Sequence, residues 1–304
     1  MISNNNEFNI YKPTEIKEIM ELKNQATKKG YDLLKFIDEY NKKLSKDKYL
    51  QIATSESLTC GLIMSTLVDI PYLGYIKYGG FGVYDTDAKR VFNNVSVDNV
   101  YTHKCAYQMA VGVLKNSNAT IAIAVTGNAM PLNEHVKMLG EVFIGIAGYN
   151  SDGNIIYITK AINMCDNLQN NTSIKKTCKK WYRKIVDSGK KEYNPRSETA
   201  NVSQKIRYMT VLTAFDLCIE FITKFNPQVP DIIIERKKIN NQMINNIHNN
   251  IPSNKYEFNK SEICKNNEFG KNKSNKTYCY ITQSDSRIST KEFINNNKNN
   301  NNKK

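Results

Sequence analysis

The chain has 304 residues, 43 of them basic and 29 acidic, a formal charge of +14 and a hydrophobic content of 40%. No run approaches the roughly 18 apolar residues that a transmembrane helix needs, which excludes one. The first twenty residues carry Asn4, Asn5, Asn6 and several charges where a secretory signal needs an apolar core, so a cytoplasmic protein is expected.

The charge is uneven. Residues 161–200 hold nine basic and four acidic side chains and residues 231–304 hold fourteen and seven, whereas residues 51–160 hold seven and eight. Dispersed Lys among Asn solvates a chain; tracking phosphates takes clustered Arg and Lys with stacking aromatics. Only Lys175 to Lys191, with Trp181 and Tyr182, has that character, so no nucleic-acid partner is expected. Seven cysteines, none in a CxxC pair, fit neither a zinc site nor a disulfide framework. With His103, His135 and His248 as the whole histidine complement, neither a metal site nor a histidine triad is expected, and no cofactor is implied.

In chain order, residues 1–12 lack pattern. Residues 13–29 and 31–46 read as two helices broken at Gly30, the second with Leu33, Leu34, Ile37 and Tyr40 on one face. Tyr49 to Ala53 is a short strand and Leu58 to Val68 a helix stopped by Pro71. Tyr75 to Tyr84 is strand-like though interrupted by glycines. Thr102 to Leu114 is helical, while Thr120–Val125, Glu141–Ala147 and Ile155–Thr159 are buried strands. Residues 164–200 read as a polar insertion. Val202 to Phe225 is a long amphipathic helix. Beyond it the pattern fades, apart from a strand-like Asp231–Ile234, and nineteen of residues 231–304 are Asn. Such a tail cannot bury enough apolar area to offset its ordering entropy. Strands alternating with helices predict an α/β fold, a three-layer α/β/α sandwich with a mostly buried central sheet. The expected division is a partly helical extension, 1–30, a domain, 31–225, and a disordered Asn/Lys-rich tail, 226–304.

Three polar loops follow apolar strands, where α/β sheets place ligand sites. They are Ala53 to Gly61, Tyr84 to Lys89, and Val125 to Pro131. Singly, their hydroxyls and acids also read as helix caps and solvated charges. In this order and spacing they resemble the C-terminal domain of the CinA family, which includes the nicotinamide-nucleotide amidases. Its Ala-Glu-Ser-Cys-Thr-Gly-Gly motif stands here as Ser55-Glu56-Ser57-Leu58-Thr59-Cys60-Gly61. Its Gly-Gly strand and Tyr-x-Asn-x-x-Lys motif are similar to Gly79, Gly80, Tyr84, Thr86 and Lys89. Its Val-Ser-x-x-x-Ala-x-x-Met-Ala helix resembles Tyr101, Thr102, Ala106, Met109 and Ala110. Its Val-Thr-Gly-x-Ala-Gly-Pro loop is similar to Val125 to Pro131, its following strand entry to Lys137, Met138, Gly140 and Val142, and its closing helix to Ile206-Arg207 with Ala214-Phe215.

The resemblance implies hydrolysis of the carboxamide of nicotinamide mononucleotide to nicotinate mononucleotide and ammonia. Ser57 would attack, Lys89 would take its proton and Tyr84 would relay or orient. Lys89 in that role requires burial or a cationic neighbour to lower its pKa. N–H groups at the helix start near Ser57 would hold an oxyanion or the substrate phosphate. Glu56, Thr59, Gly61, Thr126, Gly127 and Arg207 are carried over as substrate-binding positions. The implied partner is a small-molecule nucleotide, with a homo-oligomer left open. Where the family has Cys and Gly this chain has Leu58 and Cys60; Met130 replaces a Gly, Thr86 an Asn, and Asn201-Val202-Ser203 a Gly-Asp-Arg. Cys60 reads as a small buried hydrophobe or, alternatively, as a reactive thiol. The alternative to an amidase is a catalytically decayed domain that binds a ligand or a partner.

Overall fold

A computed structural model describes residues 13–130, 139–167 and 198–250. They fall in one compact unit that closes at Ile251. The expected disordered segments 1–12 and 251–304, and most of the insertion, lie outside the described residues.

Five strands form one sheet: β1 (Ile52–Glu56), β2 (Lys77–Gly82), β3 (Ile121–Gly127), β4 (Glu141–Tyr149) and β5 (Ile155–Asn163). Their order across the sheet is β2-β1-β3-β4-β5. β1 pairs in parallel with β2 and β3, while β3–β4 and β4–β5 are antiparallel. β1 is buried throughout and β3 and β4 nearly so. Their continuous apolar runs follow from cover on both faces. α4 (His103–Lys115) packs on β1, β3, β4 and β5, with α3 (Thr86–Asn93) beside it. The second helical layer consists of α1 (Pro13–Asn41), α2 (Leu62–Val68) and α5 (Glu198–Phe225; residues 198–201 are described for their backbone). Three layers are therefore present, as the sequence predicts, with β3 and β4 inside the sheet.

Capping fixes the helix starts. Asp85 accepts the Asp87 N–H at 2.7 Å for α3, and Thr102 accepts the Cys105 N–H at 3.1 Å for α4. The three parallel strands all run out at the same sheet edge, at Glu56, Gly82 and Gly127, and that edge carries the candidate site.

Three local expectations are corrected. The predicted break at Gly30 is absent: α1 is one helix, and Gly30 is the point where it presses on the sheet's neighbours. A Cβ there would lie 3.1 Å from Ile70 Cδ1 and from Phe215 Cε2. Gly30 thus serves close packing, and the 30/31 boundary falls inside a helix whose Ala26, Leu33, Leu34 and Ile37 are all buried. Second, β1 begins later than Tyr49 and continues through Thr54, Ser55 and Glu56, so half of the first polar loop is strand. Third, Asp231–Ile234 opens a helix, α6 (Asp231–Asn250), where a strand or patternless tail is expected. Its Ile233 and Ile234 bury against the core, and Arg236 donates to the Ser117 carbonyl at 3.3 Å.

The α6 contact gives a stability prediction. Ending the chain after Pro230 removes two buried isoleucines at about 1.5 kcal/mol or more each. The urea midpoint should fall by the equivalent of roughly 3 kcal/mol. An unchanged midpoint would show that α6 adds nothing to the core.

Candidate active site

The turn after β1 is built around one carboxylate. Glu56 is fully buried, and it accepts the N–H groups of Gly61 (2.9 Å) and Ile63 (2.9 Å) through Oε2 and of Met64 (3.0 Å) through Oε1. These are orphan donors of the α2 N-terminus, and a carboxylate complements the dipole there. The carboxylate folds residues 57–61 into a tight turn, with Cys60 at φ 45° and Gly61 at φ 98°. Ser57 sits at the turn's base, its N–H on the Val125 carbonyl at 3.0 Å. Among the described residues no acceptor meets the N–H groups of Leu58, Thr59 and Cys60.

Ser57 borders a cavity of about 400 Å³. Leu58 and Cys60 line it from the same turn, Tyr84, Thr86 and Lys89 from the start of α3, Val100 and Tyr101 from the approach to α4, Gly127 to Met130 from the end of β3, and Ser203 and Arg207 from α5. No carboxylate is among these residues, and two are cationic.

Lys89 is 1% exposed. Its ammonium donates to the Tyr84 carbonyl at 2.7 Å and more weakly to the Asp85 carbonyl at 3.4 Å, with no carboxylate partner among the described residues. Burial pushes its pKa below the ordinary 10.5; Cys105, Asp85 and Cys60 pull the other way. Beside it, burial pushes the Cys105 thiol up to about 11. Arg207 donates through Nη2 to the Thr59 carbonyl at 2.8 Å, and its buried Nε has no partner among the described residues. Ser203 lies one helical turn before it and is buried.

The structure therefore brings Ser57, Tyr84, Lys89, Gly127 and Arg207 to one cavity, though they come from four separate elements. Glu56, Thr59, Gly61 and Thr126 are not on its wall. Glu56 and Gly61 are bound to each other, and their N–H and carboxylate serve the turn. The Thr126 hydroxyl donates to the Val100 carbonyl at 2.9 Å. Thr59 meets Arg207 through its backbone, while its buried hydroxyl has no partner among the described residues. Of the N–H groups at the helix start near Ser57, Glu56 occupies those of Gly61, Ile63 and Met64. Tyr84 meets Lys89 through its carbonyl, with its ring largely exposed at the cavity mouth. Cys60 is exposed, so it is not the buried hydrophobe expected. Gly127 has φ 154°, and a Cβ there would collide with the Glu141 backbone, so no side chain fits between β3 and β4 at that point. Pro131, Lys137 and Met138 lie outside the described residues.

Sequence reasoning missed Val100, which carries no signal. It quoted Thr86, Tyr101, Asn128, Met130 and Ser203 within motifs without marking them as cavity walls. Among the described residues no group of three or more His, Cys, Asp or Glu could hold a metal ion, and no helix is long and apolar enough to cross a membrane.

Residues 34–179 match the family model of the CinA C-terminal domain. A competence-damage inducible protein of Lysinibacillus sphaericus is 34% identical over 137 residues, 43% of this chain and 32% of the relative. A CinA-like protein of Chloroherpeton thalassium is 30% identical over 158 residues, 50% of this chain and 38% of the relative. The chain thus spans about a third of the length of these curated relatives. Among solved structures, the competence/damage inducible protein CihA from Agrobacterium tumefaciens aligns with a TM-score of 0.44 and 23% identity, over 64% of this chain and 94% of that one.

The role of Glu56 is open to a direct check. Glu56→Ala strands three N–H groups, that of Ile63 buried and those of Gly61 and Met64 part-buried; at about 1–3 kcal/mol for the buried one and less for the others, it should cost roughly 2 kcal/mol or more in urea unfolding. A residue that only touched a ligand would leave the unfolding midpoint of the free protein in place.

Proposed function

We propose that this chain, whose residues 34–179 match the CinA C-terminal domain, is an amidohydrolase acting on the carboxamide of a nicotinamide nucleotide, with nicotinamide mononucleotide the first candidate. The observation that carries the reading is Lys89: a buried amine, held among the described residues by the carbonyl oxygens of Tyr84 and Asp85, lining the same cavity as Ser57. Burial favours the neutral amine, the form that can accept a proton. Arg207 and Ser203 offer donors to an anionic substituent of the substrate, in a cavity whose described wall has no carboxylate to repel it.

The reaction follows from those groups. Ser57 Oγ forms a bond to the carboxamide carbon as its proton passes to Lys89 Nζ. The carbonyl oxygen gains the charge, and the N–H groups of Leu58 and Cys60, both residues of the cavity wall, are donors without an acceptor among the described residues. The tetrahedral adduct collapses, the C–N bond breaks, and Lys89 returns the proton to the departing nitrogen, which leaves as ammonia. Water then attacks the Ser57 ester, giving the carboxylate and restoring the hydroxyl. Tyr84 aligns Lys89 through its carbonyl, and its phenol lies at the mouth.

A second reading is a ligand-binding domain without turnover. It is favoured by Cys60, which holds a left-handed backbone conformation that glycine adopts more readily, and by Met130; both project a side chain at the cavity wall. Cys60→Gly with Met130→Gly should then create or raise turnover.

Ammonia release from a panel of nicotinamide nucleotides tests the proposal. Ser57→Ala should lower the rate by roughly three orders of magnitude or more with the fold intact, and Lys89→Arg should be nearly as damaging, since Arg does not lose its proton. Full activity in Ser57→Ala would remove the nucleophile assignment.

The pH dependence follows from the same site. Lys89 must be neutral to act, so kcat/KM should rise with pH through its lowered pKa and level off below the ordinary 10.5. A profile flat across that range would assign Lys89 a purely electrostatic role.

A further inference from the structure

We infer that Tyr101, together with the ring of Tyr84, sets the specificity of this site for the positive charge on the substrate's ring. On the amidase reading above, the substrate class then narrows to N-substituted pyridinium carboxamides, and the same ring made neutral by reduction binds less well. An N-ribosyl nicotinamide ring carries a full positive charge beside its carboxamide. Nothing ionic on the described wall attracts it: there is no carboxylate, and the two charged side chains, Lys89 and Arg207, are cationic themselves. Wall carbonyls already accept hydrogen bonds, that of Tyr84 from Lys89 at 2.7 Å, that of Val100 from the Thr126 hydroxyl at 2.9 Å and that of Asn128 from the Gly140 N–H at 2.7 Å. Aromatic faces remain, since a ring quadrupole attracts a cation without formal charge of its own. Among the described lining residues Tyr84 and Tyr101 are the only aromatic ones.

Position agrees with charge. Ser57 and Lys89, both buried, fix where the carboxamide must sit, so the ring that bears it lies outward of them, toward the mouth where Tyr84 is exposed. Tyr101 is half-buried there. Burial first, and the Tyr84 phenol second, hold the Tyr101 phenol above its ordinary 10.0. The two hydroxyl ends are thus close enough to interact electrostatically, and a bound cation meets an uncharged Tyr101 ring.

The backbone that carries Tyr101 is pinned on both sides. The Tyr101 N–H donates to Asn99 Oδ1 at 2.9 Å. The Thr102 hydroxyl donates to the Asn99 carbonyl at 3.2 Å and caps α4 through the Cys105 N–H, while Thr126 holds the Val100 carbonyl. A contact mounted on a segment fixed in this way gives up little freedom when a ligand arrives. In the motif that residues 101–110 resemble this position is Val, so the aromatic face is a feature of this chain.

The oxidised and reduced forms of nicotinamide mononucleotide share carboxamide, ribose and phosphate and differ in ring charge. Calorimetric titration of both into the full chain carrying Ser57→Ala reads binding without turnover. The oxidised form should bind more tightly. Adding Tyr101→Leu should weaken the oxidised form roughly three- to thirtyfold and the reduced form less than about twofold, whereas Tyr101→Phe, which keeps the ring, should hold both affinities within about twofold. Should Tyr101→Leu not fold, Tyr84→Leu, which keeps the carbonyl that holds Lys89, reads the same ratio. Equal affinity for the two forms, an equal loss of both in Tyr101→Leu, or a Tyr101→Phe chain that behaves like Tyr101→Leu would overturn the assignment. Ammonia release by the unmutated chain separates the two claims: release with affinities indifferent to ring charge overturns the role of Tyr101 alone, and charge-dependent binding without release overturns the amidase reading alone.

Discussion

Everything at the candidate site hangs from the buried carboxylate of Glu56. It ends β1 and begins α2 at once, since the residue's main chain still belongs to the strand while its side chain binds three amides of the helix start. Its own carbonyl accepts the Val83 N–H at 2.8 Å, and the next N–H, from Ser57, goes to Val125. One residue and its neighbour thereby tie together the ends of β1, β2 and β3. The turn that remains has so little length that Cys60 and Gly61 must take positive φ. Ser57 is held at the sheet edge as a consequence.

The same arrangement decides the electrostatics. A helix start aimed at a cavity usually offers its dipole to an anion. Here an internal anion already occupies it, which shifts the recognition of negative charge to α5, where Arg207 and Ser203 stand one turn apart. Arg207 is anchored by the Thr59 carbonyl, so its guanidinium reports the position of the same turn. Lys89, by contrast, is set among the described residues by carbonyl dipoles, which satisfy an ammonium's hydrogen bonds without opposing its loss of a proton as strongly as a carboxylate would.

The terminal helices extend the domain beyond its apparent sequence limits. α1 runs along α5, joined by Lys29 with Asp216 at 2.8 Å and by Lys205 with Glu18, both partly exposed and so minor in energy. The larger contribution is apolar: Ala26, Leu33, Leu34 and Ile37 from α1, Ile233 and Ile234 from α6. These faces belong to helices whose sequences are otherwise Lys- and Asn-rich, a composition that hides a short buried stripe.

By itself the sequence determined the layer order, the central strands and the loops that matter. β3 and β4 are legible because strands covered on both faces carry unbroken apolar runs, and the loops at Ser57, Tyr84 to Lys89 and Gly127 to Met130 are legible because polar residues directly follow such runs. It could not tell the continuous α1 from two helices, since a glycine that breaks a helix and one that lets it pack on Ile70 and Phe215 are spelled alike. Nor could it separate Glu56 from the residues facing the cavity, or Thr126 from Gly127. Those roles depend on direction in space: neighbours on a strand or in a turn point opposite ways, and only the packed sheet decides which side is cavity and which is core. The tertiary structure alone therefore assigned Glu56 to the turn, gave Thr126 to the Val100 carbonyl and brought Ser203 to the wall, because each outcome rests on a partner distant in sequence or on a helix face that composition does not reveal.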